Sequence, residues 1–549
     1  CIKMIIKLIE NNPKLSIIIT GIIMFGLNMG VLDTTIMEAR NFITAREMLL
    51  DGNWLLTTMN GEPRYQKPPL PTWLAAISAF FFELNNYWMR IPGFVMVIIL
   101  ALYNYRLSHK LFISRHLSLI HGFLTLTSFY IIGIVIEAPW DIFAHGFMLI
   151  AIYHSINIFS HPVINLKNVI IVGIFLSFSA MSKGPVSFYV LFFPFLIAYF
   201  VIFKLPDLKT TVWTILLSLL LALVLGGWWY LYVQYQDTET FLAITKKETS
   251  NWSSYNVRPF YYYWSFFVQS GIWTIPAFIS LIYPYLKTRV CNLKGYQFTI
   301  IWTVIAVLLL SLIPEKKSRY LMPVLIPLAL NTGFYIEYLI RRFKYIRDKR
   351  ETIPVYFNFG LIGLIGLAAP IIGFITLKNT SFTNWFHFFL ISLVFGVVGI
   401  FTIQSLVQRN IKTTFYLCVT FMASLFVFVI PLYPNLVSEN YKSINLLKDT
   451  LDQNNERLYY VSKPSPEIIW DFGGKITPFD INNFPNFPKE LHVIIQTNQT
   501  DNLKTLESKY QINYISTYDL NKVSQKSSNY KSRLSYQHYH IKLKEIYLE

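Results

Sequence analysis

Charged residues are scarce in this sequence, and their scarcity excludes most soluble folds. Only 14% of the 549 residues are charged, 54% are hydrophobic, and the mean hydropathy is +0.43. A soluble protein of this length must cover its surface with polar side chains. Apolar runs such as TTVWTILLSLLLALVLGGWWYLYV are long enough, as helices, to cross a bilayer core of about 30 Å. We therefore expect an integral membrane protein, with membrane lipids among its partners.

Cysteine is also rare, and its positions give no site. Cys1, Cys291 and Cys418 lie far apart without a metal-binding spacing, so neither a metal centre nor a disulfide is predicted. Nucleotide-binding glycine loops and internal repeats are lacking. The formal charge of +17 does not indicate nucleic acid, because membrane proteins concentrate Lys and Arg in cytoplasmic loops. Cys1 in place of Met suggests a truncated or unusual start.

Thirteen apolar runs have the length of a membrane span, which predicts an α-helical polytopic protein. They lie at about 15–32, 88–105, 117–135, 140–158, 165–181, 184–203, 210–232, 265–286, 296–313, 319–340, 355–377, 384–404 and 413–433. Alternate loops between them are basic, as in the run RRFKYIRDKR at 341–350, and the N-terminus carries three lysines. By the positive-inside rule these segments are cytoplasmic. The loops at 33–87, 233–264 and 314–319 then share the opposite, extracytoplasmic face.

The composition changes after residue 433, which predicts a second domain. We divide the chain into a transmembrane domain at 1–433, including the loop at 33–87, and a small extracytoplasmic α/β domain at 434–549. Alternating runs such as RLYYVS, HVIIQT and QINYIS are typical of strands, and SINLLKDTLDQ and TDNLKTLESKY of helices.

The first outside loop combines charge, turns and aromatic residues. MEARNFITAREMLL places Met37, Ala45, Met48 and Leu49 on one stripe, which predicts an amphipathic helix in the membrane interface. GNW, NG and KPPLP predict turns and extended chain, and a second short interfacial helix is expected from about Pro71.

These segments resemble a known family. The pattern E-A-R…A-R-E-M…G-x-W…N-G-x-P…K-P-P-L…W-L is similar to the first extracytoplasmic loop of the bacterial lipid A aminoarabinose transferases. More broadly, it resembles the polyprenyl-phosphate-dependent GT-C glycosyltransferases, which include the protein O-mannosyltransferases. The likeness covers about 30–335 and continues in the segments RIP at 90–92, Asp141, KGP at 183–185, RPFYY at 258–262 and KSRYLMP at 317–323.

The resemblance implies a transferase that takes a hexose or pentose from a polyprenyl-phosphate donor, with inversion. The acceptor it implies is lipid A or another envelope glycan, at the periplasmic face of the bacterial inner membrane. Two alternative acceptors stay open, an exported protein and a polysaccharide. Two other interpretations of the chain also stay open, a transporter of lipid or solute and an inactive homologue. Charges gathered at one face favour surface chemistry over transport, since transporters place polar groups at mid-span.

The chemistry asks for cations that meet the phosphate and carboxylates that activate or orient the acceptor. The predicted catalytic carboxylates are Glu38 and Asp141. The predicted substrate-binding cations are Arg40, Lys67, Lys183, Arg258, Lys317 and Arg319. The resemblance implies Lys67, Lys317 and Arg319 as phosphate contacts and places Asp141 in the catalytic pocket.

The chain departs from the family pattern at two acidic positions. Met37 stands where relatives carry an acid thought to serve catalysis, and Gln66 where relatives carry an acid linked to a metal. No cofactor is inferred, and the use of a divalent metal stays open. An acceptor that is already an anion would need no strong base, so Glu38 and Asp141 would suffice for it.

Each candidate also has a structural alternative. Glu38 and Arg40 are compatible with a solvated helix face, Lys67 with a lysine that snorkels to the interface, and Asp141 with a helix cap. Lys183 is compatible with a cap at a helix C-terminus. The basic residues at 316–319 are compatible with a site for lipid headgroups.

Overall fold

The structure is a computed structural model that describes residues 2–160, 164–203, 208–377, 382–435, 438–480 and 488–544. Its contacts divide the chain into two compact units. The first unit comprises Cys1–Val31 and Tyr65–Pro431, and the second comprises Leu32–Arg64 and Leu432–Glu549. The first outside loop, which the sequence analysis assigned to the transmembrane domain, is thus grouped largely with the C-terminal segment.

The first unit is built from helices. They are α1 Ile2–Asn11, α2 Pro13–Phe25, α4 Leu70–Phe81, α5 Asn86–Phe112, α6 Arg115–Leu126, α7 Phe129–Glu137, α8 Pro139–Ser160, α9 Leu166–Lys183, α10 Phe193–Ile202, α11 Leu208–Gln236, α12 Thr238–Ser254, α13 Thr274–Ser280, α14 Tyr283–Leu286, α15 Leu293–Leu312, α16 Met322–Arg342, α17 Lys349–Leu377, α18 Phe382–Val407 and α19 Ile411–Ser424. Short 3-10 or π segments connect several of them, at Phe188–Phe192, Phe260–Tyr263, Phe266–Trp273, Ser318–Leu321, Phe343–Tyr345 and Leu425–Val429. A further 3-10 segment, Ile430–Asn435, runs on into the second unit.

Ten helical segments in the described part of the chain are long and apolar enough to cross a membrane. They are Asn86–Phe112, Arg115–Glu137, Pro139–Ser160, Leu166–Lys183, Leu208–Gln236, Leu293–Leu312, Ser318–Tyr345, Lys349–Ile375, Trp385–Val407 and Ile411–Pro434. Each coincides with a span predicted from the sequence, and the α-helical polytopic fold is confirmed.

The other three predicted spans are shorter or broken helices. The runs at 15–32 and 184–203 overlap with the apolar helices Pro13–Phe25 and Phe188–Ile202, which have fewer than 18 residues. The run at 265–286 breaks at Gly271, whose φ of 68° is unfavourable for residues with a side chain. A Cβ at this position would also lie 2.6 Å from the Cβ of Phe129, so both backbone angle and space require glycine. Hydropathy alone does not detect such a break.

The second unit contains a mixed sheet with helices on both faces. Its elements are α3 Ile36–Asp51, β1 Thr58–Met59, β2 Glu62–Pro63, α20 Asn445–Gln453, β3 Leu458–Tyr460, α21 Pro466–Phe472, β4 Thr477–Pro478, β5 Glu490–Gln496, α22 Thr500–Lys509, β6 Tyr510–Asp519 and β7 Ser535–Leu543. The sheet order is β4-β3-β5-β7-β6, with β4, β3 and β5 parallel and β7 antiparallel to both its neighbours. The small α/β domain predicted after residue 433 is confirmed.

Helix α3 belongs to the core of this unit and does not present an exposed polar face. Met48 and Ala45 of the predicted apolar stripe are buried, but so are Arg46 and Glu47. The Arg46 guanidinium donates to the carbonyl oxygens of Ile469, at 3.3 Å, and Gly474, at 2.9 Å. Burial lowers the pKa of Arg46 to about 10. The helix was predicted correctly, but its polar face is not exposed as predicted, because Arg46 and Glu47 are buried. Its place in the membrane interface stays a prediction.

Glu47 holds the β1–β2 hairpin in place. Its carboxylate accepts hydrogen bonds from the Thr58 hydroxyl at 2.5 Å and from the backbone N–H groups of Asn60 at 2.6 Å and Gly61 at 3.2 Å. Asn60 and Gly61 both have positive φ, as the tight turn requires. The NG signal in the sequence thus marks this hairpin.

Replacing Glu47 with Ala is expected to raise the amide exchange rates of Asn60 and Gly61 about 100-fold, because loss of charge-assisted bonds in a buried site costs about 3 kcal/mol. Hydrogen–deuterium exchange measures this directly. Asp51→Ala is the matched control, since Asp51 pairs with Lys475 at 2.8 Å where both side chains are partly exposed. Equal effects of the two changes would contradict the assignment.

Candidate functional site

A buried ion pair joins the start of one helix to the end of another. Asp141 lies in the first turn of α8, and Lys183 is the last residue of α9. The Lys183 ammonium contacts the Asp141 carboxylate, and the two side chains are only 10% and 2% exposed. Each charge also suits its helix end, because an acid is favoured at the N-terminus and a base at the C-terminus. Asp141 and Lys183, each considered above as a helix cap, therefore both lie at helix ends and also form an ion pair with each other.

The basic segment at 314–319 is held as extended chain by backbone bonds. Glu315 forms an antiparallel bridge with Val257, and the N–H of Lys316 donates to the Asn256 carbonyl oxygen at 3.1 Å. The Tyr263 hydroxyl accepts from the N–H of Lys317 at 3.0 Å and lies 3.2 Å from its carbonyl oxygen. The segment is thus fixed before any ligand arrives, which lowers the entropic cost of binding.

Three cations surround the ring of Tyr320. The Lys183 ammonium lies 4.8 Å from the ring centroid, the Lys317 ammonium 5.7 Å, and the Arg319 guanidinium carbon 5.8 Å. Within about 6 Å a cation is attracted to an aromatic face. The Tyr320 hydroxyl lies 3.3 Å from Glu315, whose carboxylate also pairs with Lys317. Three positive charges thus meet at one tyrosine, and the carboxylates of Asp141 and Glu315 offset two of them. The excess of one positive charge suits an anionic ligand.

The structure brings four of the predicted site residues together, namely Asp141, Lys183, Lys317 and Arg319. Two others, Lys67 and Arg258, belong to the same unit. Lys67 pairs with Glu248 of α12 at 3.8 Å. Arg258 is exposed and continues the bridge, its N–H donating to the Pro314 carbonyl oxygen at 3.3 Å.

Sequence reasoning assigned no role to Tyr320 or Glu315. Both stand within five residues of the predicted cations, in the segment PEKKSRY. An aromatic ring among cations and an acid beside two lysines were signals that could have drawn attention to them.

Glu38 and Arg40 lie in the other unit, on α3. Glu38 is fully buried and forms a capping box with Thr35. Its carboxylate accepts from the Thr35 N–H at 3.1 Å, and its own N–H donates to the Thr35 hydroxyl at 3.3 Å. The T-x-x-E spacing at 35–38 is the sequence signature of this motif. Glu38 therefore has a structural role, and its catalytic role stays a prediction.

Arg40 lies near a second arginine. Its guanidinium contacts the Met37 sulfur at 3.8 Å. The Arg64 guanidinium donates to the Arg40 carbonyl oxygen at 2.6 Å and to the Thr44 hydroxyl at 2.8 Å. Burial, together with the charge of Arg40, lowers the pKa of Arg64 to about 9.

The residues around Asp141 do not fit a metal ion. In the described ranges, no group of three or more His, Cys, Asp or Glu residues could hold one. Asp141 and Glu315 are each paired with a lysine. His145, one turn from Asp141, is buried and shares a 2.8 Å hydrogen bond with Ser187.

Comparison with known proteins identifies the relatives. Residues 66–230 match the family model described as dolichyl-phosphate-mannose-protein mannosyltransferase. A protein of Aquifex aeolicus is 23% identical over 337 residues, or 59% of this chain and 63% of its own length. The undecaprenyl phosphate-alpha-4-amino-4-deoxy-L-arabinose arabinosyl transferase of Photorhabdus laumondii is 20% identical over 377 residues, or 66% of each chain. The matches thus span just under two thirds of these relatives' length.

A solved structure shares the fold. ArnT from Cupriavidus metallidurans, bound to undecaprenyl phosphate, superposes with a TM-score of 0.68 at 13% identity, covering 96% of this chain and 97% of that chain. The chain is therefore a multi-pass membrane protein of the GT-C fold. The match of residues 66–230 to the family model and the likeness to the aminoarabinose transferases support a place in the GT-C glycosyltransferase family. The resemblance read from the sequence is confirmed.

Proposed function

We propose that this protein transfers a sugar from a polyprenyl-phosphate donor to lipid A or another envelope glycan. The observation that carries the proposal is the group of three cations around Tyr320 with the buried Asp141 beside Lys183. It agrees with relatives named for an undecaprenyl phosphate-linked sugar and with a neighbour solved with undecaprenyl phosphate.

The cations would hold the phosphate of the donor. Negative charge builds up on this leaving group as the glycosidic bond breaks, and cations fixed beforehand stabilise that charge without reorganisation. Lys317 and Arg319 stand on the backbone-tied segment and supply the contacts. Lys67 is assigned to the same phosphate, as the family resemblance implies, and Arg258 to the same substrate.

Asp141 would orient the acceptor more than deprotonate it. The Lys183 ammonium contacts the Asp141 carboxylate and offsets its negative charge. Such a group suits an acceptor that is already an anion, such as a phosphate, and this agrees with Met37 in place of the family acid. Attack on the anomeric carbon from the side opposite the phosphate inverts the configuration.

The reaction is assigned to the periplasmic face of the bacterial inner membrane. The assignment follows from the positive-inside rule, which leaves the segment at 314–319 and the C-terminal domain outside. Glu38 and Arg40, which lie in the unit that contains the C-terminal domain, are assigned to acceptor handling on the same face.

Deletion of the gene is expected to remove a mass of one sugar residue from an envelope lipid or glycan, and restoration should return it. Mass spectrometry of lipid A and of envelope glycans measures both. Restoration with Lys67→Ala should fail, because the phosphate loses a cation, whereas Lys247→Ala, which removes an exposed charge of α12, should succeed.

The molecule that loses the sugar names the acceptor. A change in lipid A identifies donor sugar and acceptor together, and a change only in a polysaccharide or glycoprotein moves the acceptor there. An unchanged set of envelope lipids and glycans would overturn the transferase assignment in favour of transport or an inactive homologue.

A further inference from the structure

The C-terminal domain contains a cavity of about 570 Å³ that opens to solvent. It lies between α20 and one face of the sheet, next to strands β5, β7 and β6. Leu447 and Leu451 of α20 line one side, and Tyr518 and three histidines line the other. A cavity of this size is in the range of small-ligand sites.

The strand register brings the three histidines together. His492 of β5 lies directly opposite His540 of β7. His538 lies two residues before His540 on β7, so its side chain is on the same face of the sheet. The ring centroid of His492 lies 5.0 Å from that of His538 and 4.9 Å from that of His540. The cluster is a product of pairing between strands, since the sequence separates His492 from the others by more than 40 residues.

Hydrogen bonds order these rings. His492 Nε2 lies 3.2 Å from Glu456 Oε2, and His492 Nδ1 shares a 2.9 Å hydrogen bond with His538 Nε2. Burial lowers the pKa of His492, and it lowers the pKa of His538 to about 3, so both rings are neutral at pH 7. With the His492 proton directed to Glu456, His538 Nε2 must donate to His492. His538 Nδ1 is then an acceptor, and it has no partner among the described residues.

The arrangement disfavours metals and anions. Both ring nitrogens of His492 already have partners, and the described part of the chain has no group of three metal ligands. Burial lowers the pKa values of His492 and His538, which makes these two rings poor partners for an anion. The ammonium of Lys442 lies 2.5 Å from the Ser516 hydroxyl and over the Tyr518 ring, and Glu456 supplies an opposing negative charge.

The lining combines apolar surface with neutral donors and acceptors. Leu446 and Ile515, at the cavity edge, are 75% and 45% exposed. Asn454 and Asn513 add amides, each with donors and an acceptor, beside the imidazoles. A sugar ring has the matching properties, because its C–H faces are apolar and each hydroxyl both donates and accepts.

We propose that this cavity binds a neutral saccharide. The cavity belongs to the second unit and the cations around Tyr320 to the first, and binding in the cavity does not require the transfer reaction. In a membrane glycosyltransferase, such a cavity would hold a glycan chain at the C-terminal domain.

The experiment is an array of neutral and acidic bacterial oligosaccharides, probed with the full-length protein in lipid nanodiscs. The wild-type protein is expected to bind neutral glycans. Asn513→Ala and His540→Ala, at positions that are at least partly exposed, should weaken that binding about tenfold or more, the effect of losing about 1.4 kcal/mol.

Asn502→Ala is the matched control, because α22 packs against the opposite face of the same sheet through Leu503 and Leu506. It should leave glycan binding unchanged. Binding of acidic glycans alone, loss of the signal on adding a metal chelator, or equal binding by all variants would each overturn the proposal. Retained glycan binding in a protein that lacks transferase activity would support this site while contradicting the proposed function.

Discussion

Replacing Asp141 with Asn is expected to reduce turnover at least 100-fold while the donor KM changes less than tenfold. The reason is that Asp141 is assigned to positioning the acceptor, and a misplacement of the reacting groups by about 1 Å can cost about 100-fold in rate. Turnover and KM are measured with purified enzyme and polyprenyl-phosphate sugar. The change also leaves the Lys183 ammonium buried without its carboxylate, and breaking a buried pair in this way costs about 3–5 kcal/mol.

A double variant separates the catalytic from the structural effect. Asp141→Asn combined with Lys183→Met removes both charges, so much of the lost stability should return. Activity should stay low, since the acceptor still lacks its carboxylate and the donor one of its cations. Thermal unfolding and turnover are compared across the wild type, both single variants and the double variant. Recovery of turnover to within about threefold of the wild type, with restored stability, would mean that the pair only stabilises the packing of α8 against α9. That result would contradict the catalytic assignment of Asp141.

The architecture could be predicted wherever it depends on local pattern. The ten confirmed spans are continuous apolar helices, and strands β3, β5 and β6 follow alternation or short apolar runs. Prediction failed at 265–286, where a positive φ at Gly271 breaks the helix. The helix α3 was predicted, but the burial of its polar residues was not, because Arg46 bonds to chain more than 400 residues away.

The candidate site could be predicted residue by residue but not as an assembly. Asp141, Lys183, Lys317 and Arg319 were identified by charge and resemblance, yet their grouping depends on helix packing that no spacing encodes. Tyr320, at the centre of the cations, was not assigned a role. Residues far apart in sequence acquire their function from tertiary contact, so sequence pattern indicates candidates and the fold decides which of them meet.

Replacing Lys317 or Arg319 with Ala is expected to raise the donor KM about 10- to 100-fold. Each change removes a charged hydrogen-bond donor from the phosphate, and such bonds contribute about 1.5–3 kcal/mol. Steady-state kinetics with varied donor concentration measures the effect. Added salt should raise the wild-type KM more than that of either variant, because screening weakens an attraction that the variants have partly lost.

Lys316→Ala is the matched control, since it removes the same charge one residue away. Unlike the charged groups of Lys317 and Arg319, which lie near the Tyr320 ring, the Lys316 ammonium donates to the Ile313 carbonyl oxygen at 2.5 Å, at the end of α15. Burial lowers the pKa of Lys316, in keeping with this enclosed position. Its loss should lower the free energy of unfolding by about 1–3 kcal/mol. The donor KM should stay within about threefold of the wild-type value, a change of about 0.7 kcal/mol in binding free energy. If Lys316→Ala raised the KM as much as Lys317→Ala, the segment would act through its overall positive charge, and the assignment of individual phosphate contacts would be wrong.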